Sequence, residues 1–206
     1  MRLVSVIVYT AFAMASTTGY ISQALIWVDC EMTGLRESDR LLEIAVIVTD
    51  KDLKQIVRGP DLVIKQSVEV LDGMDEWCKR QFGWNSSTDY EPDNLGAQSL
   101  KSEITETEAE RQILAFLEPL VEKGKGILAG NSVHVDKRFI DKYLPRFSDF
   151  LHYRIVDVST VKELVRRWQP DTFARAPVKK LAHRALDDIE ESIRELQFYR
   201  DESFNL

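Results

Sequence analysis

The sequence has only two cysteines in 206 residues, Cys30 and Cys78. That is too few for a disulfide-stapled scaffold, and each reads as a free thiol in a reducing compartment. Glycine (9) and proline (6) fall below their usual share, which excludes collagen-like and low-complexity chains. No apolar run is long enough to cross a bilayer; the stretch Val4 to Ala15 is about a dozen residues. No internal repeat is present. Positive charge is also scarce: 27 Lys and Arg against 34 Asp and Glu leave a net charge of −7. A protein that holds long nucleic acid by bulk electrostatics needs a basic surface, so that class is disfavoured, whereas a short nucleic acid gripped through metal ions stays open. What remains is 44% hydrophobic and 30% charged, the profile of one ordinary soluble domain.

Charge is unevenly spread. Residues 86–110 carry seven acids against one base, Lys101, and residues 151–184 carry eight bases against three acids. A polyanion would be drawn to the second region, although charge alone favours the plainer reading of two solvated faces. The first 28 residues hold one charge, Arg2. Arg2, the apolar run and Ala13-Met14-Ala15 imitate a secretory signal; the absence of acids also fits a transit peptide, and Met14 could be the true start.

The pattern of elements is α/β. Ala24 to Met32, Leu41 to Thr49 and Val57 to Lys65 read as strands, the last interrupted by Gly59-Pro60. Val68 to Phe82 reads as a helix and residues 83–98 as an extended loop. Thr105-x-x-Glu108 is a capping-box signal for a helix carrying Ile113, Phe116, Leu117, Leu120 and Val121. Short strands at Ile127 to Ala129 and Ile155 to Val158 alternate with helices at Val135 to Tyr143, Thr160 to Trp168 and Ala185 to Tyr199. An early meander followed by alternation implies one mixed sheet with helices packed on it, in a single domain over 24–202, with 1–23 an apolar leader outside the core.

Three pieces carry chemistry. Asp29 and Glu31 are two apart on a strand and point the same way, at the end of the apolar run Leu25-Ile26-Trp27-Val28. Two carboxylates in a partly dry place repel each other and lose hydration, and a divalent cation relieves both penalties; a strand end reaching solvent relieves them too. Asp136 follows a Gly130-Asn131-Ser132 turn, where it suits either a ligand site or the first turn of a helix. His183 precedes Asp187 and Asp188 at the start of the last helix, and spacing alone does not choose between the two acids.

Taken together, Asp29-x-Glu31, Asp136 and His183-x4-Asp188 resemble, in order and spacing, the DEDDh family of 3′→5′ exonucleases. The segment Trp27 to Leu35, Met74-Asp75-Glu76-Trp77, the Gly130-Asn131-Ser132 turn, His152 to Thr160 with Lys162-Glu163-Leu164, His183 to Ser192 and Glu195 to Arg200 resemble oligoribonucleases, most closely the eukaryotic small-fragment form. The resemblance covers about Leu25 to Arg200. It implies a ribonuclease H-like fold with a mixed five-stranded sheet flanked by helices. It implies that Asp29, Glu31, Asp136 and Asp188 hold two Mg2+ or Mn2+ ions, and that His183 is the general base for the attacking water.

The resemblance also implies a substrate: short RNA oligonucleotides and dinucleotides with a 5′-phosphate, cut to nucleoside 5′-monophosphates. Leu35 would wedge between bases, Trp77 would stack on one, and Ser132, Arg154, Ser159 and Lys162 would close around the 5′-phosphate. The His152-Tyr153-Arg154 match implies a homodimer in which Tyr153 completes the neighbouring site. Short RNAs arise in the cytosol and the mitochondrial matrix, so the secretory-like leader is read as misleading and the location as mitochondrial or cytoplasmic, with no membrane partner. The chain departs from the family at Gln81-Phe82, where relatives place histidine, in the length of 83–98, and in its leader. Two other readings keep the same acids: an exonuclease on DNA or longer RNA 3′ ends, and a non-catalytic nucleotide-binding scaffold. The first should lack the phosphate-cap residues and the second should have lost a metal ligand.

Overall fold

The computed structural model describes residues 19–85, 94–178 and 184–204. Strands β1 (Leu25–Met32), β2 (Leu41–Thr49), β3 (Ile56–Val63), β4 (Ile127–Gly130) and β5 (Ile155–Asp157) form one sheet in the order β3-β2-β1-β4-β5. The pairs β1/β2 and β2/β3 are antiparallel, and β1/β4 and β4/β5 are parallel. This is the mixed five-stranded sheet expected from the sequence.

Alternation along β1 decides what each face carries. Ile26, Val28 and Cys30 point into one core, where they meet α4 (Glu106–Leu117), α5 (His134–Tyr143) and α6 (Pro145–Phe150) through Ile113, Leu117, Phe139, Ile140, Phe147 and Phe150. Trp27 points the other way, into a second core with Ala45, Ile47 and Ala129. That core is closed by α7 (Val158–Trp168) and α9 (Ala185–Ser203) through Val165, Ile189, Ile193 and Tyr199, with α8 (Pro170–Ala174) between them in sequence. Asp29 and Glu31 share Trp27's face, so they face α9. Trp27 is fully buried and its indole N–H donates to Thr49 Oγ1 at 3.0 Å, which satisfies its one polar atom.

The β2/β3 register shifts between Ala45 and Ile47, opposite Gly59-Pro60, so the strand continues through this pair as an irregularity. Proline lacks an N–H and is tolerated on an edge strand. A Cβ on Gly59 would fall 2.4 Å from the Phe116 ring, so only glycine lets α4 approach here.

The expected single helix over Val68 to Phe82 is instead two, α1 (Val68–Asp72) and α2 (Glu76–Gln81). Gly73 closes the first, and Asp75 caps the second by accepting from the Cys78 amide at 2.8 Å. The extended loop expected over 83–98 is corrected at its end: α3 (Leu95–Lys101) begins within it, while residues 86–93 lie outside the described residues. Trp84 and Leu95 are buried with Phe82, Leu71 and Met74 in a small third core, and the Trp84 indole donates to Asp72 at 2.9 Å. Apolar contacts across Gly83, held at φ 63°, outweigh the local loop signals.

Candidate active site

The C-terminal end of β1 meets the N-terminal turn of α9. There the carboxylates of Asp29, Glu31 and Asp188 each place an oxygen within 4.8 Å of the others. Asp188 is half-buried and joins the group, whereas Asp187 is exposed on the next face and lies toward Asp61 and Arg184. The helix thus makes the choice that spacing alone left open.

Asp136, in the first turn of α5, is buried beside this group, and its Oδ1 accepts from the Cys30 amide at 2.9 Å. It is tied to the strand between Asp29 and Glu31 but does not belong to the tight trio. Burial pushes its carboxyl up to about 7, against hydrogen bonds from its own amide and that of Cys30. Burial also pushes Glu31 up to about 8, helped by the charges of Asp188, Glu43 and Asp136 and opposed by Arg184. Carboxylates held this close in a dry corner favour a proton or a cation. An all-oxygen donor set of this charge fits a hard divalent ion such as Mg2+ or Mn2+. His183, the expected general base, lies outside the described residues.

Sequence reasoning missed the residue that seats α9. Glu43 is fully buried on β2, opposite Glu31 in register. It accepts from Arg184 Nε at 3.0 Å and Nη2 at 2.7 Å, and from the Ala185 amide at 3.1 Å. One carboxylate therefore clamps a guanidinium in a fork and caps the helix start. The signal was there: Glu43 is the only charged residue in the wholly buried run Leu41 to Thr49.

Beside the trio opens a cleft of about 650 Å³ lined by Glu31, Met32, Leu35, Trp77, Cys78 and Phe82 among others. Leu35 is 63% exposed and Trp77 55%, so neither is a core residue and both present apolar surface to the cleft. Phe82, of the Gln81-Phe82 departure, is buried in the cleft wall. Arg36 is fixed by a fork onto Asp39, at 3.1 and 2.9 Å.

A second group lies at the ends of β4 and β5. Ser132 adopts φ 50°, a left-handed conformation uncommon outside glycine. Asp157 holds it there. Its Oδ1 accepts from the Ser132 and Ser159 amides, both at 2.9 Å, and its Oδ2 pairs with His134 Nδ1 at 3.1 Å. The Ser132 and Ser159 hydroxyls are 3.1 Å apart. Asp157 also caps α7. Lys162 pairs with Glu195 at 3.1 Å, and Glu195 is 2% exposed. Asn131, Asp157 and Glu195 were not singled out from the sequence, because turn and helix residues of these types are common in structural positions. Tyr153 is 80% exposed, stacked on His152 at 4.4 Å, with the Arg154 guanidinium 5.3 Å from its ring. Of the expected residues, Asp29, Glu31 and Asp188 converge with Asp136 beside them, Leu35 and Trp77 line the cleft, Ser132 meets Ser159 with Lys162 held by Glu195, and Tyr153 and Arg154 stack with each other on their own turn.

Known proteins were compared with this arrangement. The exonuclease family model of RNase T type matches residues 26–196. Mitochondrial oligoribonuclease of Homo sapiens is 50% identical over 186 residues, which cover 89% of this chain and 75% of that one. Oligoribonuclease of Pseudoalteromonas translucida is 48% identical, covering 88% of this chain and 96% of its own, and that of Arabidopsis thaliana is 46% identical, covering 90% and 81%. Among solved structures, the cell-death related nuclease CRN-4 superposes with a TM-score of 0.64 at 16% identity, over 89% of this chain and 65% of its own. Exonuclease I from Methylocaldum szegediense gives 0.62 at 19% identity, over 87% of this chain and 41% of its own. The chain thus spans about two fifths of that exonuclease I, and the likeness establishes the shared ribonuclease H-like exonuclease fold.

Proposed function

The chain belongs to the exonuclease family of RNase T type, among the oligoribonucleases, and on that premise we propose that it is a 3′→5′ exoribonuclease that cuts very short RNAs to nucleoside 5′-monophosphates. The observation that carries this reading is the convergence of Asp29, Glu31 and Asp188 beside a cleft with two exposed apolar side chains. Members of this family depend on a divalent metal, and the donor set here fits one.

In detail, Asp29, Glu31, Asp136 and Asp188 would hold two ions, Mg2+ or Mn2+. Bound there, the ions supply Lewis acidity for an in-line displacement at phosphorus. His183 removes the proton from the attacking water; an imidazole with an ordinary value near ~6.5 suits a base at neutral pH. Trp77 stacks on a base and Leu35 separates it from its neighbour, a sequence-tolerant grip of about 1–3 kcal/mol per base. Ser132, Arg154, Ser159 and Lys162 gather around the 5′-phosphate, which closes the site to longer chains. With so short a substrate, no long basic groove is needed and a net charge of −7 is no obstacle.

Tyr153, exposed and carried on a short turn, completes the site of a second copy, so the active species is a homodimer in the mitochondrion or cytoplasm. The reading that residues 24–202 form the catalytic domain, with residues 1 to about 20 dispensable for catalysis, goes with it. A timed digest of labelled RNAs two to ten nucleotides long with Mg2+ tests the proposal. Dinucleotides should be consumed fastest and yield 5′-monophosphates. Preference for the ten-mer, or for DNA ends, would reject it.

A further inference from the structure

One face of α9 is polar although it is packed inward. Asp188, Ser192, Glu195 and Tyr199 follow one another at helical spacing, and the last three are buried. This stripe meets the side chain of Asn131, whose amide is used at both ends. Asn131 Oδ1 accepts from the Ser159 hydroxyl at 3.0 Å. Asn131 Nδ2 donates to Ser192 Oγ at 2.8 Å and to Glu195 Oε2 at 3.2 Å. Ser192 in turn donates to the Asp188 carbonyl at 2.7 Å. Three consecutive hydrogen bonds therefore run from a hydroxyl of the phosphate cluster to the backbone of an acid in the trio. Glu195, held by Tyr199 at 3.0 Å, also anchors Lys162 from the same helix face.

We propose that Asn131, with Ser192, is a positioning pair that registers the 5′-phosphate cap against the Asp188 turn, so that gripping the 5′-phosphate seats the bond to be cut. The inference rests on the cap reading above. Its chemistry is that of a rigid brace. Both functional ends of one half-buried amide are committed, and each partner has its own second bond, so no member of the relay can turn without breaking another bond. Placement errors on the order of 1 Å cost about 10²-fold in rate, so a brace between the two ends of a two-nucleotide substrate acts on turnover and not on affinity alone. In the intact enzyme the 5′-phosphate should then raise kcat as well as lower KM.

Ser192→Ala cuts the brace at the Asp188 backbone carbonyl while leaving every cap residue and every carboxylate in place, and removes one hydroxyl from a helix interior, where hydroxyls that bond the carbonyl four residues back are of little benefit to the helix. Steady-state kinetics are compared on one dinucleotide with and without its 5′-phosphate, for the unaltered protein, Ser192→Ala and Asn131→Ala, with thermal melting as a check of folding. The expected result is that kcat on the phosphorylated dinucleotide falls about tenfold in Ser192→Ala. The KM advantage of the phosphate persists, and kcat on the unphosphorylated dinucleotide changes less than about twofold. Asn131→Ala should lose the same kcat advantage and part of the KM advantage, because Ser159 loses its acceptor. Equal loss of kcat on both substrates, or none on either, overturns the brace. Absence of any phosphate preference in the unaltered protein would instead sink the cap reading itself, and the two failures are distinguished by that control.

Discussion

The acid trio and the hydroxyl cluster are built on opposite principles. In the first, Asp29, Glu31 and Asp188 face one another in a dry corner, and burial with mutual repulsion drives Glu31 up to about 8. In the second, the protein supplies the partners itself: Asp157 takes two amides and a histidine, Asn131 takes a hydroxyl and gives two bonds, and Glu195 holds Lys162 and Tyr199. The first site is poised to be completed from outside by cations. The second is prearranged by the protein, so it costs little to organise when a ligand arrives. One region spends stability on chemistry, and the other fixes geometry.

That contrast makes graded predictions. The largest effect belongs to the trio: Asp29→Ala, or removal of divalent metal by a chelator, should lower turnover of a dinucleotide by about 10³-fold or more. Undiminished turnover in Asp29→Ala would break the comparison outright. Within the same turn, Asp188→Asn should abolish divalent-metal binding measured by calorimetry, while Asp187→Asn leaves it within about twofold, since only Asp188 faces Asp29 and Glu31.

Next comes the clamp that seats α9. Arg184→Met strands the buried Glu43 charge and should destabilise the fold by about 3–5 kcal/mol in denaturant titrations. Replacing both partners, Glu43→Gln with Arg184→Met, should recover much of that loss. No recovery in the double variant would show that the pair is not a self-contained unit.

The cleft follows. Trp77→Ala should cost about 1–3 kcal/mol in kcat/KM, equally for all base sequences. A loss confined to one base would mean readout by hydrogen bonding.

The smallest effect is electrostatic. Asp61 is pushed up to about 6, mainly by burial and then by Glu43. A raised carboxylate favours the protonated folded state, so its ionisation costs stability as pH rises from about 4 through 6 and the cost is complete above that. Asp61→Asn should therefore raise Tm at pH 8 and leave it unchanged at pH 4. Asp61 is partly solvated, so the gain should be about 1 kcal/mol, roughly 2–4 °C. A gain of the same size at pH 4 would mean packing, not charge.

Much of this site was readable from residue types and their spacing. Asp29 and Glu31 read as two acids on one strand face, and the structure shows that this face turns toward α9. The capping-box helix, the last helix and the positions of the strands were legible for the same reason: periodicity reports which face is buried. The break at Gly73 and the helix starting at Leu95 were less legible, since both are decided by Trp84 and Leu95 finding Phe82 and Leu71 across the chain. Asn131, Asp157 and Glu195 were read only as parts of matching segments and given no role, because a residue's commitment to distant partners has no local signature. Glu43 is the instructive case: a lone acid in an apolar strand is expensive without a partner, and that expense was itself the clue.

The irregularity at Gly59-Pro60 has a further consequence. It lies on β3, one edge of the sheet, and the opposite edge is the three-residue β5. Open edges invite another chain to add itself as an extra strand, the first step of many aggregates. Here one edge is interrupted by a residue with no amide hydrogen to offer, and flanked by Arg58, which reaches across to Glu190 at 2.8 Å. The other edge is too short to template more than a few bonds. A sheet shielded in this way resists growing sideways by strand addition.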